Sequence, residues 1–173
     1  MKPFHIFVEG PTDAAFVKVA LRRFVPDTEI DDRITPLKGW TSLSVPVVQK
    51  RLDDGDVVLI VFDADDSNKE GGCTARLAAL EAKLGPDLFA KVHVFLLPDN
   101  QSDGDLETLL EKMVRDDHLA IVDCCWRGYA DCLTTKNYLA PTKKSKMREY
   151  AAAIDPDVWE DQGFVKTFAK DAV

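Results

Sequence analysis

Six consecutive apolar residues, Val57-Val58-Leu59-Ile60-Val61-Phe62, stop abruptly at Asp63-Ala64-Asp65, and no other feature limits the fold as tightly. A strand that is apolar on both faces needs cover on both, which a parallel sheet between helical layers supplies. Two further runs behave alike. Phe4-His5-Ile6-Phe7-Val8 ends in the turn formers Glu9-Gly10-Pro11-Thr12-Asp13, and Val92 to Leu97 ends at Pro98-Asp99-Asn100. A fourth strand, Arg33 to Leu37, is weaker, because Pro36 lacks an N–H and belongs at an edge or an end.

Helical patterns separate these runs. Phe16, Val17, Ala20, Leu21 and Phe24 recur at spacings of three and four between Asp13 and Val25, with Thr12 or Asp13 as N-cap and Pro26 as stop. Ser44 caps a second helix to about Leu52, with Leu43 placed to staple against Val48. Leu77, Leu80 and Leu84 mark a third that Gly85-Pro86 ends, and Leu106, Leu109, Leu110, Met113 and Val114 mark a fourth. The alternation predicts an α/β fold: an open, mostly parallel four-stranded sheet with helices on both faces.

Beyond His118 the pattern is helical only, with one segment through Val122, Cys125, Trp126, Tyr129 and Leu133, another through Met147, Tyr150, Ala151 and Ile154, and a short third at Phe164 and Phe168. At 173 residues and 46% hydrophobic composition the chain fills one core and not two. The expectation is a single domain over 1–173, with an α/β core to 117 and a helical extension over 118–173. No apolar run reaches the roughly 18 to 20 residues of a membrane span, and no signal-peptide pattern opens the chain, so a cytoplasmic protein is expected. Cys73, Cys124, Cys125 and Cys132 match no zinc or redox spacing and read as small buried hydrophobes. A net charge of -8 excludes coating nucleic acid by charge alone, but not a nuclease working through a cation. Oligomeric state is left open.

Open α/β sheets place their functional crevice beyond the carboxyl ends of the strands. Acids stand at those ends: Glu9 after the first strand, Asp63 and Asp65 after the central one, and Asp99, Asp103, Asp105 and Glu107 after the last. Neighbouring strands lie only about 5 Å apart, so adjacency would gather these carboxylates. Crowded carboxylates raise one another's pKa, and a bound cation relieves the conflict. An all-oxygen set without His or Cys suits Mg²⁺ or Mn²⁺, and such an ion suits phosphodiester chemistry.

Val8-Glu9-Gly10-Pro11-Thr12-Asp13 after one strand and Phe62-Asp63-Ala64-Asp65 after another resemble the paired Glu and DxD motifs of the Toprim fold of topoisomerases, primases and OLD-type nucleases. With Leu97-Pro98-Asp99-Asn100 and Gly104-Asp105-Leu106-Glu107, residues 4 to 155 look like a stand-alone Toprim-like family of unknown function, DUF3226. The resemblance implies a Toprim/Rossmann-like sheet. It makes Glu9 general base or metal ligand, Asp63 and Asp65 metal ligands, Glu107 a later acid near a second metal, and Asp13 and Asp105 auxiliary acids. Lys146 becomes a candidate catalytic residue, with Lys143 and Lys144 as phosphate contacts. The partner implied is nucleic acid or a nucleotide; neither topoisomerase nor complete primase activity follows, because no motor or DNA-gate domain is attached.

Each residue has a structural alternative. Asp13 and Glu107 suit the first turn of a helix on dipole grounds alone. Lys143-Lys144-Ser145-Lys146 suits a solvated helix start, and the glycines suit turns. His5 reads as packed, and Trp40, Trp126 and Trp159 as core or lid residues. Two other functions compete with a nuclease. One is a catalytically silent module binding metal, nucleotide or a protein partner. The other is an aspartyl-phosphatase, although its DxD would normally sit on the first strand, and here it follows Glu9 by more than fifty residues.

Overall fold

The computed structural model describes residues 2–22, 24–26, 30–67 and 71–154. In chain order they form β1 (Phe4–Val8), α1 (Pro11–Leu21), β2 (Ile34–Pro36), α2 (Val45–Asp53), β3 (Val57–Asp63), α3 (Cys73–Leu84), the short α4 (Pro86–Phe89), β4 (His93–Leu97), α5 (Leu106–Lys112), a π-helix (Ile121–Cys125), α6 (Trp126–Thr135) and α7 (Lys143–Ile154). Single 3₁₀ turns cover Asp31–Arg33, Trp40–Ser42 and Asp116–His118. The expected helix at Phe164 and Phe168, and Trp159, lie outside the described residues.

The sheet has four strands in the order β2-β1-β3-β4, every pair parallel. Phe7 faces Ile60, and Phe62 faces Leu96, so alternate residues share a face across the sheet. One face sets Phe7, Val58, Ile60, Phe62 and Leu96 in a core with Val48 of α2, Leu80 and Leu84 of α3 and Leu88 of α4. On the other, Ile6, Val8, Ile34 and Val61 are buried, and α1 packs along β1 and β2. Helices on both faces follow from right-handed crossovers, since the chain moves one way from β1 to β2 and the opposite way from β2 to β3. β2 is an edge strand and ends at Pro36, where a missing N–H costs no ladder bond.

Several local expectations need correction. The cap of α1 is Gly10 in extended backbone, not Thr12 or Asp13; Asp13 stands three residues in, and its Oδ2 accepts the Gly10 N–H at 2.8 Å. The helix ends at Leu21, so Phe24 falls out of the periodic series and is 75% exposed. Only Cys73 is buried, turned into the core from the first turn of α3; Cys124, Cys125 and Cys132 lie exposed on the π-helix and α6. A core-facing position, not the thiol itself, decides burial here.

The described residues group into two compact units, divided after Leu109. The first holds the sheet. In the second, Val114, Val122, Met147, Tyr150 and Ala151 are buried, and His118 Nδ1 lies 3.0 Å from the Tyr150 hydroxyl. Among the described residues, no helix is long and apolar enough to cross a membrane.

Candidate acidic site at the strand ends

Strand order fixes where a crevice forms. The chain leaves β1 toward β2 on one side and returns to β3 on the other, so loops diverge beyond the carboxyl ends of β1 and β3 and leave a gap. Glu9 and Asp63 stand at those two ends. Glu9 follows β1 directly, and its carboxylate bridges the gap: Oε2 accepts the Asp63 N–H at 2.9 Å and Oε1 the Trp40 N–H at 3.1 Å. Burial pushes its pKa up, and the two backbone donors hold it back.

Asp63 is the last residue of β3, and its Oδ1 accepts the Leu106 N–H at the start of α5, 2.9 Å away. Burial, then the negative charges of Asp13, Glu9 and Glu107, push its carboxyl up to about 8. Asp13 is pushed up to about 6, by burial first and then, against its hydrogen bond from Gly10, by Glu9 and Glu107. Two of the acids singled out in the sequence, Asp63 and Asp13, therefore feel the negative charge of Glu9 and Glu107.

Asp65 is placed differently. Its carboxylate Oδ2 pairs with Nη2 of Arg76, a buried residue of α3. Its backbone takes a left-handed conformation, φ 61°, unusual for a residue with a Cβ. A two-way bridge holds it there: the Asp65 N–H donates to the Gly104 carbonyl at 2.7 Å, and the Gly104 N–H returns to the Asp65 carbonyl at 3.0 Å. Asp105 caps α5, its Oδ1 accepting the Thr108 N–H at 2.8 Å and hydroxyl at 2.6 Å. Asp103 caps α3 through the Cys73 N–H at 2.8 Å, and Asp99 accepts the Ser102 N–H at 2.7 Å within its own loop.

The lysines belong to the second compact unit. Lys143 and Lys144 are exposed in the first turn of α7. Lys146 is half-buried and ion-paired with Glu111 at 2.9 Å, on the wall of a cavity of about 310 Å³ that Trp126, Tyr129 and Tyr150 also line. His5, read as packed, is buried and bonded through Nε2 to the Thr35 hydroxyl at 2.9 Å. Sequence reasoning missed Arg76. Cys73, Arg76, Leu80 and Leu84 form the buried stripe of α3, and a charged residue at a core-facing position of that stripe was the signal.

Among the described residues, no group of three or more His, Cys, Asp or Glu side chains stands ready to hold a metal ion. The donor atoms offered are all carboxylate oxygens, the kind a hard cation takes, and the repulsion felt at Asp63 and Asp13 is relieved by a proton or a metal. A family model described as a protein of unknown function, DUF3226, matches residues 3–157. The chain belongs to this DUF3226 family. No curated protein and no solved structure gives a significant match.

Proposed function

We propose that this DUF3226 protein is a divalent-cation-dependent phosphodiester hydrolase or phosphoryl-transfer enzyme of the Toprim, OLD-nuclease-like type. The observation that carries the reading is the gathering of acids at the switch point between β1 and β3: the Glu9 carboxylate spans the gap to the Asp63 N–H, and burial, then the charges of Asp13, Glu9 and Glu107, push Asp63 to about 8. Maintaining that repulsion costs stability, and perturbed carboxylates concentrate where a fold needs them for chemistry. Holding Mg²⁺ or Mn²⁺ would fall to Glu9, Asp63 and Glu107, with Asp13 beside them; their carboxylates, not grouped for a metal among the described residues, would have to draw together on the ion. Bound there, the ion would polarise a phosphoryl oxygen and offset the charge of the leaving oxygen. Glu9, with a pKa raised by burial, is suited to take the proton of an attacking water. The substrate class is a nucleic acid or a nucleotide.

Purified protein incubated with single-stranded DNA, duplex DNA, RNA or nucleoside triphosphates should cleave at least one of them in Mn²⁺ or Mg²⁺ and none in chelator. Glu9→Gln should lower that rate by about a hundredfold or more, within the usual contribution of a general base. Cleavage that survives Glu9→Gln and Asp63→Asn at the wild-type rate would discredit the assignment.

A second reading, a silent module that binds a cation or nucleotide without turnover, draws on one specific observation. Asp65, an expected ligand, has its carboxylate engaged by Arg76. Calorimetric binding of Mn²⁺ with no turnover on any of those substrates is the outcome that selects it.

A further inference from the structure

Arg76 is 6% exposed, yet it carries a full charge and sits among core-facing residues of α3. Its guanidinium is engaged on three sides. Nε donates to the carbonyl of Asp63 at 3.2 Å, Nη2 pairs with Asp65, and Cζ lies 4.6 Å from the centre of the Trp40 ring. Those contacts reach two separate strand ends, because Asp63 closes β3 while Trp40 begins the turn that follows β2. The same two residues supply the backbone N–H groups that grip Glu9. Lys83, two turns further along α3, holds the same turn by donating to the Thr41 carbonyl at 2.7 Å.

Asp65 is built to serve this arrangement. Its left-handed backbone is fixed by the double bridge to Gly104, and a Cβ on Gly71 would stand 2.5 Å from the Asp65 Cβ, so the two loops are pressed together with no slack. A buried guanidinium needs a counter-charge, and Asp65 Oδ2 provides one.

We propose that Arg76, anchored by Asp65, is the positioning residue of the acidic site: it ties the Trp40 turn to the end of β3 and so keeps the two backbone donors of Glu9 at the spacing its carboxylate requires. Asp65 acts through Arg76 and not as a metal ligand. This inference rests on the reading of the strand-end acids as a functional site. It changes which aspartate of the Asp63-Ala64-Asp65 motif touches the cation.

Amide hydrogen exchange followed by NMR on the full chain reads the positioning without any metal. In Arg76→Gln, the Trp40 and Asp63 amides should exchange at least tenfold faster, while the mid-strand amides of Ile6 and Ile60 keep their wild-type rates. Arg76→Lys, which keeps the charge and loses the planar fork, should recover part of the protection. Asp65→Asn should reproduce the Arg76→Gln pattern, and the double variant should add little. Equal acceleration at Ile6 and Ile60 would reduce Arg76 to a general stability role and overturn the proposal, as would undisturbed protection at Trp40 and Asp63. Mn²⁺ titration of the same variants separates the two aspartates: Asp63→Asn should abolish binding, whereas Asp65→Asn should weaken it about tenfold and keep the stoichiometry. Loss of binding in Asp65→Asn as complete as in Asp63→Asn, with the Trp40 amide still protected, would make Asp65 a ligand and the proposal wrong. Wild-type protein that takes up no Mn²⁺ refutes the cation reading alone, and amide exchange still decides the role of Arg76.

Discussion

A carboxyl pushed up to about 8 in the folded chain and ordinary in the unfolded one makes stability depend on pH, and at Asp63 the sign is definite. Below about pH 4 both states carry the proton and the site costs nothing. As pH rises from about 4 toward 8 the unfolded chain releases its proton first, so it gains relative to the fold, and stability falls across that window. Asp13, raised to about 6, and Glu9, raised by burial, act in the same direction. His5 opposes them: burial, reinforced by Arg51, lowers its pKa, so its contribution is complete above about 6.5 and declines as pH drops below that. Asp63→Asn keeps the side-chain oxygen that accepts the Leu106 N–H and removes the charge. In metal-free buffer it should raise the melting temperature at pH 7.5, leave it nearly unchanged at pH 4, and flatten the profile between. A melting curve at pH 7.5 lower for the variant than for the wild type would show that the clustered charge is not what limits stability there.

At the scale of elements, three strands were legible because each is a short apolar run ending in turn formers, and the weaker fourth is the short β2. The apolar run Val57–Phe62 lies between β1 and β4, with Val58, Ile60 and Phe62 buried on one face and Val61 on the other, and Pro36 marks β2 as an edge. Helix α2 was legible as well, with Leu43 and Val48 buried in one cluster. What sequence could not give was the direction of side chains beyond the strands. Asp63 and Asp65 are two residues apart and look equivalent in a DxD motif, but Asp63 ends β3 in the acid cluster while Asp65 turns left-handed and faces Arg76. Asp105 looked like an acid of the site and is engaged as a helix cap. Gly71 exposes the tightness of this junction. A methyl there meets the Asp65 Cβ at 2.5 Å and the Ala64 and Asp66 carbonyls at 3.1 Å, and the bridged backbone of Asp65 has little room to give. Gly71→Ala should therefore cost about 1–3 kcal/mol in urea unfolding, the usual range for overpacking. The same change at Gly128, where no atom lies within 4 Å, should instead stabilise by about 0.5–1 kcal/mol through helix propensity.

For the molecule as a whole, charge is the property that links fold to function. The net charge of -8 works against the approach of any polyanion, and repulsion at the strand ends concentrates part of that burden in residues 1–109. A cation held by the carboxylates would relieve both at once, so metal binding and stability should be coupled. Binding to the native state alone adds about 2.7 kcal/mol when free ligand is 100 times its dissociation constant. In a chain of this size each kcal/mol moves the midpoint by about 2–4 °C, so saturating Mg²⁺ or Mn²⁺ should raise the melting temperature by about 5–10 °C. Sodium chloride at matched ionic strength screens exposed charges without entering the cluster and should give only a small part of that rise. Asp63→Asn should start from a higher melting temperature at pH 7.5 and gain little from either divalent ion. Equal shifts from MgCl₂ and from ionic-strength-matched NaCl would locate the effect in diffuse screening and leave the strand-end acids without a resident cation.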